Sequence, residues 1–447
     1  MEKRFYGLEE PIPVSTAMML GLQHVLAMFV GIVTPPLLVS SALELSLEDT
    51  AYLVSMSLFT SGITTYVQVH RFGPVGSGML TVTGPSFVFV PLAIQTGAAG
   101  GLPLIFGSSL LGSVIPILVS RWLTLARRLF PPLVTGTVVM LIGFSLVQVG
   151  FAEMAGGFGA PDFGSAANLS LGLLVALTIV ILQRVAGGYV RTISIAVGLA
   201  VGYFAALAAG LVDLGPVGEA GWFHAPRPLH YGMTFNALYL VPWLVGYMAV
   251  ALECIGDLTA TSQVSREPVE GPIFLARLKG GLLSDGLGCA FTSLFNAMPK
   301  TTFAQNNGII ALTGVASRRA GVAAAALLVL LGLFPKLSAL VSVVPRPVIG
   351  GATVLMFAMV AVAGLNIVIS DGFTARNQFI LAVALAFGMG VEMVPQAVAH
   401  LVPESADGWL PVSLRILLES GLAIGALTAM VLNLVLDEEP QQPTVPG

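Results

Sequence analysis

Long apolar runs, separated by short polar or Pro- and Gly-rich stretches, dominate the pattern of this chain. A helix needs about 20 mainly apolar residues to cross a bilayer. Divided on this basis, the sequence predicts an all-α membrane protein with fourteen segments, whose bounds are accurate to about four residues. The segments are 14–38, 50–67, 81–98, 101–120, 131–150, 169–186, 192–211, 236–262, 276–294, 301–315, 320–338, 347–364, 376–393 and 414–436.

The third and tenth segments are shorter and more polar than the others. They contain residues 81–87 (TVTGPSF) and 299–308 (PKTTFAQNNG). They occupy the same place in the first and the second seven segments, and an odd number of segments per half reverses the orientation of one half. Interrupted segments at matching positions of inverted halves point to a transporter's binding site. We therefore expect a 7+7 inverted repeat in which each of these segments is a short strand followed by a half-helix.

Composition supports a membrane protein. Charged residues make up 9% of the 447 residues and hydrophobic residues 56%, whereas soluble domains are about a quarter charged. The net charge of -4 gives no indication of nucleic-acid binding. Cys254 and Cys289 both lie in apolar segments, which argues against a disulfide framework. Residues 1–13 are polar, so no cleavable signal peptide is expected.

The basic residues test the topology independently, because cytoplasmic loops are enriched in Lys and Arg. With the N-terminus in the cytoplasm, fourteen of the 19 basic residues fall on the cytoplasmic side. This division supports fourteen spans with both termini in the cytoplasm. The cytoplasmic set is Lys3, Arg4, Arg71, Arg121, Arg127, Arg128, Arg184, Arg191, Arg266, Arg277, Lys279, Arg318, Arg319 and Arg376, and the outer set is Arg227, Lys300, Lys336, Arg346 and Arg415.

Two acidic residues lie inside the eighth segment, in the run 250–258 (VALECIGDL). Glu253 and Asp257 are four residues apart, so they project from one helix face. Ionisable groups within a bilayer are costly and mark functional sites. Two carboxylates this close disfavour simultaneous ionisation, so one should hold a proton readily. Alternatively, Asp257 caps or pairs near the cytoplasmic end and Glu253 alone is functional.

Three consecutive side-chain amides, at 305–307 (QNN), lie in the tenth segment. Non-helical backbone at membrane depth is tolerated only where it is protein-buried or lines a cavity. A half-helix beginning near Gly308 would direct free N–H groups towards the midplane. The Gln305 amide offers a donor and an acceptor, and Glu253 accepts from ring N–H groups, which together fit a flat heterocycle. Phe87 could stack on its face, with ordinary packing as the alternative.

The run 305–314 (QNNGIIALTG) resembles the signature of the nucleobase/ascorbate transporter family: Gln or Glu, Asn, any residue, Gly, four residues, Thr, then Arg, Lys or Gly. The similarity covers essentially the whole chain. Further matching residues are Gln23, His24, Ser86, Phe87, Glu253, Gly256, Asp257, Ser284, Asp285, Gly286, Pro345, Arg346, Pro347, Gly350 and Gly351.

This resemblance implies a core domain at residues 14–120 and 236–338 and a gate domain at 131–211 and 347–436. It further implies a substrate site between these domains, proton symport and homodimers formed through the gate domains. Glu253 and Gln305 match the principal base-binding positions. The other residues expected at the substrate are Phe87, Phe303, Ala304 and Phe357.

Four further residues have expected roles in proton coupling or in support of the site. Asp257 tunes or carries the proton, and Asn306 belongs to the signature run. His24 is either a packing residue or part of the coupling machinery. Asp285 is expected to support the Gln305 segment by hydrogen bonding.

The residues at two positions reduce the number of candidate substrates. Uracil permeases resemble this chain but have Glu at the position of Gln305 and His at that of Asp257, whereas the residues here resemble bacterial xanthine and urate permeases. Ala311 stands where many of those relatives have Gln, which leaves the choice of purine open. We expect proton-coupled purine uptake across the cytoplasmic membrane, with sodium as the alternative coupling ion and with no cofactor or metal.

Four alternatives differ from this interpretation. Uracil or another nucleobase is the nearest. An anion carrier of the same fold would use helix dipoles and basic groups rather than an acid pair. A channel needs neither a titratable pair nor a broken repeat. An enzyme would need a metal cluster or a nucleophile and base, and the five histidines have no ligand spacing.

Overall fold

The computed structural model of the chain describes residues 5–123, 131–157, 159–370, 372–402, 414–415 and 418–436. Lys3, Arg4, Arg127, Arg128 and part of the fourteenth predicted segment lie outside these residues. The helices are α1 (Val14–Ala42), α2 (Leu47–His70), α3 (Phe89–Gly112), α4 (Val114–Arg121), α5 (Pro132–Met154), α6 (Ala166–Val185), α7 (Gly188–Thr192), α8 (Ser194–Ala208), α9 (Gly215–Glu219), α10 (Leu240–Val264), α11 (Gly271–Leu294), α12 (Gln305–Thr313), α13 (Arg318–Gly332), α14 (Pro335–Ser342), α15 (Arg346–Ser370), α16 (Ala375–Met393), α17 (Gln396–Ala399) and α18 (Gly421–Val435). The two strands are β1 (Thr83–Pro85) and β2 (Lys300–Thr302), and a single 3-10 turn covers Ala237–Tyr239.

Several helices begin where the local sequence provides a cap. At four starts, a Ser or Thr side chain accepts the backbone N–H of the residue three positions later, which satisfies a donor that has no partner within the helix. These residues are Ser46 before α2, Ser165 before α6, Thr374 before α16 and Ser420 before α18.

The protein is a multi-pass membrane protein. By length and composition, six helices in the described part can cross a bilayer, or seven if α13 and α14, which meet at a bend of 78°, form one span. Every predicted segment contains helical residues. Segments 81–98 and 101–120 meet inside α3, where Gly100 and Gly101 leave the helical conformation. The count of fourteen spans stays a prediction.

The two polar segments meet as an antiparallel strand pair. Thr83 lies opposite Thr302, Gly84 opposite Thr301 and Pro85 opposite Lys300. Helix α3 follows β1 after a three-residue connection, and α12 follows β2 after two residues. Each polar segment is therefore a strand followed by a helix.

The chain divides into two compact units. One comprises Met1–Leu123 and Leu146–Met356, and the other Thr124–Ser145 and Phe357–Gly447. In the first unit α13 packs against α1 and α2, and α10 contacts α3, α11, α12 and β2. In the second unit α16 packs against α18 around an apolar cluster that includes Val134, Val368 and Ile380.

Candidate functional site

Helix α10 carries both predicted acids in its interior. Glu253 and Asp257 are half-buried, and the Thr302 hydroxyl of β2 donates to Asp257 Oδ2 at 3.0 Å. Asp257 therefore does not cap the C-terminal end of the helix, which continues to Val264. Glu253 Oε2 is buried and has no hydrogen-bond partner in the described chain. Asp257 is fixed by the strand, whereas Glu253 keeps a free acceptor.

The three amides of the signature run have different roles. Asn306 Nδ2 donates to the Leu80 carbonyl at 2.6 Å, and Asn307 Oδ1 accepts from the Thr261 hydroxyl of α10 at 2.7 Å. Gln305 is exposed on the first residue of α12. Two amides thus hold α12 in place, and the third is available to a ligand.

The half-helix begins earlier than expected. The sequence placed its start near Gly308, but α12 starts at Gln305. The chain already turns at Phe303 and Ala304, whose carbonyls accept the backbone N–H groups of Asn306 and Asn307 at 3.1 and 3.0 Å. An added Cβ at Gly308 would meet nothing within 4 Å, so this residue borders open space.

His24 is buried on α1, beside the Asn306 side chain. Its Nδ1 atom has no hydrogen-bond partner in the part of the chain that the structure describes. The Asn306 side chain donates to the Leu80 carbonyl, so His24 lies beside a side chain that holds α12 in place. A role of His24 in coupling stays a prediction.

The residues expected to contact the substrate beside Glu253 and Gln305 differ in their burial. The Phe303 ring is 8% exposed and packs against Gly31 of α1 and Gly84 of β1. Its N–H donates to the Val82 carbonyl at 3.0 Å, and its contact with substrate stays a prediction. Ala304 is exposed and immediately precedes α12. Phe87 is half-buried just before α3.

Phe357 lies on α15 and belongs to the second compact unit, where its side chain is fully buried. Its predicted contact with substrate stays a prediction.

Lys300 was wrongly assigned to the outer loops. It lies in β2 and is 1% exposed. Its ammonium donates to the Thr60 carbonyl at 2.8 Å and to Thr64 Oγ1 at 2.6 Å, both on α2. The error arose because Lys300 follows a proline at the edge of an apolar run. Strand alternation gave a signal, since it places Lys300 on the same face as Thr302.

The site combines several ionisable groups in a dry environment. Asp285 on α11 is 2% exposed and lies within electrostatic range of Glu253, Asp257 and Lys300. The Thr301 hydroxyl approaches it, but no donor in the described chain reaches either carboxylate oxygen with hydrogen-bond geometry. The expected support of the Gln305 segment by Asp285 stays a prediction. Three carboxylates beside one ammonium favour binding of a proton, because desolvated like charges repel strongly.

The sequence model of a protein family described as "Permease family" matches residues 15–397 of this chain. The xanthine permease XanP of Escherichia coli (strain K12) is 42% identical, over 98% of this chain and 95% of that protein. The xanthine permease XanQ of the same strain is 39% identical, over 99% of this chain and 96% of that protein.

Two solved structures are similar in fold. The transmembrane domain of a cyanobacterial bicarbonate transporter, BicA, has a TM-score of 0.62 and 14% identity, covering 88% of this chain and 99% of that chain. The murine anion transporter Slc26a9, in the inward-facing state, has a TM-score of 0.58 and 10% identity, covering 94% of this chain and 67% of that chain.

Proposed function

This chain belongs to the nucleobase/ascorbate transporter family, and we propose from that premise that it takes up a xanthine- or urate-type purine by proton-coupled secondary transport. It is a purine nucleobase transporter, since two xanthine permeases align with nearly its whole length. The finer parts of the proposal concern the binding residues, the coupling ion and the membrane topology.

The free acceptor on Glu253 is the observation that carries the binding proposal. Glu253 Oε2 is buried without a partner, and leaving a buried acceptor unpaired costs about 1–3 kcal/mol. A purine N–H group would satisfy it. Gln305 is exposed on α12, which packs against the helix that carries Glu253. Its amide supplies a donor and an acceptor for a second edge of the base.

Proton coupling follows from the neighbouring charges. Asp257 is within electrostatic range of Glu253 and Asp285 and is held by Thr302. A proton on Asp257 would relieve repulsion when Glu253 is ionised to accept from the base. Substrate binding and proton binding then favour each other, which is the thermodynamic requirement for symport.

For topology we propose fourteen spans in two inverted halves, core and gate domains at the predicted bounds, both termini in the cytoplasm, and a homodimer in the cytoplasmic membrane. The paired strand–helix segments and the distribution of basic residues support this arrangement. Single cysteines at Asp162 and at Arg266 test it in intact cells. An impermeant reagent should label the first from outside and leave the second unlabelled; labelling of both from one face would contradict the proposal.

Uptake into proteoliposomes tests the function directly. Radiolabelled xanthine, urate, guanine, hypoxanthine and uracil would each be offered under an inward proton gradient, an inward sodium gradient or no gradient. Xanthine or urate should accumulate under the proton gradient alone, and a protonophore should abolish the accumulation. Failure of every purine to accumulate under any gradient would overturn the proposal.

Anion transport is the second candidate, and only the fold similarity to BicA and Slc26a9 favours it. The acid pair on α10 opposes it, because carboxylates repel an anionic substrate. Bicarbonate and sulfate flux in the same vesicles would decide between the two.

A further inference from the structure

Lys300 is a fully buried lysine whose position no step of purine binding explains. Its ammonium is bonded to two neutral oxygens of α2, the Thr60 carbonyl and Thr64 Oγ1. Thr64 Oγ1 in turn lies 2.8 Å from Thr83 Oγ1 of β1. Carbonyl and hydroxyl oxygens of this kind are the ligands that hard monovalent and divalent cations take in proteins and transporters.

The chain leaves room for the lysine stem. An added Cβ at Gly288 of α11 would lie 3.8 Å from Lys300 Cδ and 3.1 Å from Thr64 Cγ2. The stem thus passes between α11 and α2 beside Gly288. The Lys300 carbonyl accepts from the Cys289 thiol at 3.1 Å, which fixes the strand at its start.

Asp285 provides the opposite charge for this position. Both of its oxygens are buried without a hydrogen-bond donor in the described residues. It nonetheless interacts electrostatically with Lys300. A buried carboxylate without donors needs a nearby cation or a proton to offset its desolvation.

We propose that the Lys300 ammonium is a tethered cation, which occupies a monovalent-cation site formed by Thr60 and Thr64, with the Asp285 carboxylate as the nearby opposite charge, and so makes transport independent of sodium. A lysine is suited to this, because its charge is compact and its three donors match a shell of oxygens. The sodium-independence part of the inference rests on the proposed transport function; the cation site itself does not.

A purely structural role makes a different prediction. If Lys300 only joins β2 to α2, removing it costs stability to the same extent whichever salt is present. If it fills a cation site, removing both the charge and the stem leaves oxygens and a carboxylate around a space that a free cation can enter. The structural role and the cation site therefore predict different effects of added cations on the stability of a Lys300 variant.

The experiment compares Lys300→Ala with Lys300→Met, which removes the charge but still fills the space. The melting midpoint of each purified protein would be measured in sodium, lithium, ammonium and choline chloride at equal ionic strength. Lys300→Ala should melt about 3 °C or more higher in sodium or ammonium than in choline. Wild type and Lys300→Met should show no such difference, and adding Asp285→Asn to Lys300→Ala should abolish it.

Transport by the same variants tests the second part. Purine uptake by Lys300→Ala in proteoliposomes should become several-fold faster with external sodium, whereas wild-type uptake should not respond. An equal cation response in Lys300→Ala and Lys300→Met, or none in either, would overturn the site. A larger cation response in Lys300→Met than in Lys300→Ala would overturn it too, because the methionine side chain fills the space that a free cation would enter. A sodium requirement in the wild type would overturn sodium independence alone.

Discussion

The two strand–helix segments share a backbone plan but differ in chemistry. Strand β1 consists of Thr83, Gly84 and Pro85, and Gly84 makes room for the Phe303 ring. Segment β2–α12 carries Lys300, Thr302 and the amides at 305–307, each engaged with other elements or exposed for a ligand. The first segment therefore supplies shape and the second supplies polar recognition.

This asymmetry explains how one site can be both rigid and selective. Polar and charged side chains are costly in a membrane interior, so duplicating amides and charges in both segments would double that cost. With β1 pairing through its backbone and packing closely on the Phe303 ring, the polar groups of β2 and α12 gain a fixed frame. Four pairs of substitutions can test this division of roles.

The largest effect is expected at Gly84. A Cβ there would lie 2.7 Å from the Phe303 ring and 2.9 Å from Ile32 Cγ1. Gly84→Val should destabilise the protein by about 3 kcal/mol or more, since overpacking a tight core is costly. Gly308→Ala is the matched change in the other segment, and it should keep wild-type stability because its Cβ meets nothing within 4 Å. Thermal melting of both purified variants checks this; equal losses would contradict the comparison.

Asp257→Asn should have the next largest effect. It should change the coupling of transport to protons and leave base binding unchanged. The amide keeps the shape of the side chain and can still accept from Thr302, but it cannot bind and release a proton. Base binding should persist, whereas accumulation driven by a pH gradient should be lost. Equilibrium binding and uptake would be measured in the same vesicles, with Glu253→Ala as the control that should lose binding itself. Wild-type accumulation by Asp257→Asn would transfer the proton role to Glu253, with His24 and Asp285 as further candidates.

Much of this arrangement could be predicted from the sequence. The polar composition of the two short segments and their equivalent places predicted a strand and a helix in each, and the spacing of Glu253 and Asp257 placed both acids on one helix face. The contact between Thr302 and Asp257 could not be predicted, because it depends on how β2 packs against α10. Lys300 was misplaced for the same reason. A lysine beside a proline is typical of the end of a span, and its bonds to Thr60 and Thr64 show that its stem turns inward.

Gln305→Glu should weaken purine binding by roughly tenfold or more. The change removes a donor and adds a charge, so a purine oxygen would face a carboxylate in a desolvated site, at a cost of about 1–3 kcal/mol. Equilibrium binding of xanthine and urate measures the effect. Asn307→Asp is the control, since Asn307 Oδ1 only accepts from Thr261 and a carboxylate can do the same. Unchanged purine affinity in Gln305→Glu would remove Gln305 from the site.

The smallest effect is expected from the pair of threonines that face each other across the strands. Thr83 and Thr302 are register partners, and Val matches the shape of each while removing the hydroxyl. Thr302 donates to Asp257, so Thr302→Val leaves the ionised carboxylate short of a donor and should reduce proton-driven accumulation several-fold without abolishing base binding. The Thr83 hydroxyl contacts only the Thr64 and Thr65 hydroxyls among the described side chains, at 2.8 and 3.3 Å. Thr83→Val should therefore lower stability by about 1 kcal/mol and leave accumulation per folded molecule unchanged. Melting midpoints and gradient-driven uptake would be measured for both variants. If the two shifted uptake equally, the polar chemistry would be shared by the two strands, and the division between a shaping and a recognising segment would be wrong.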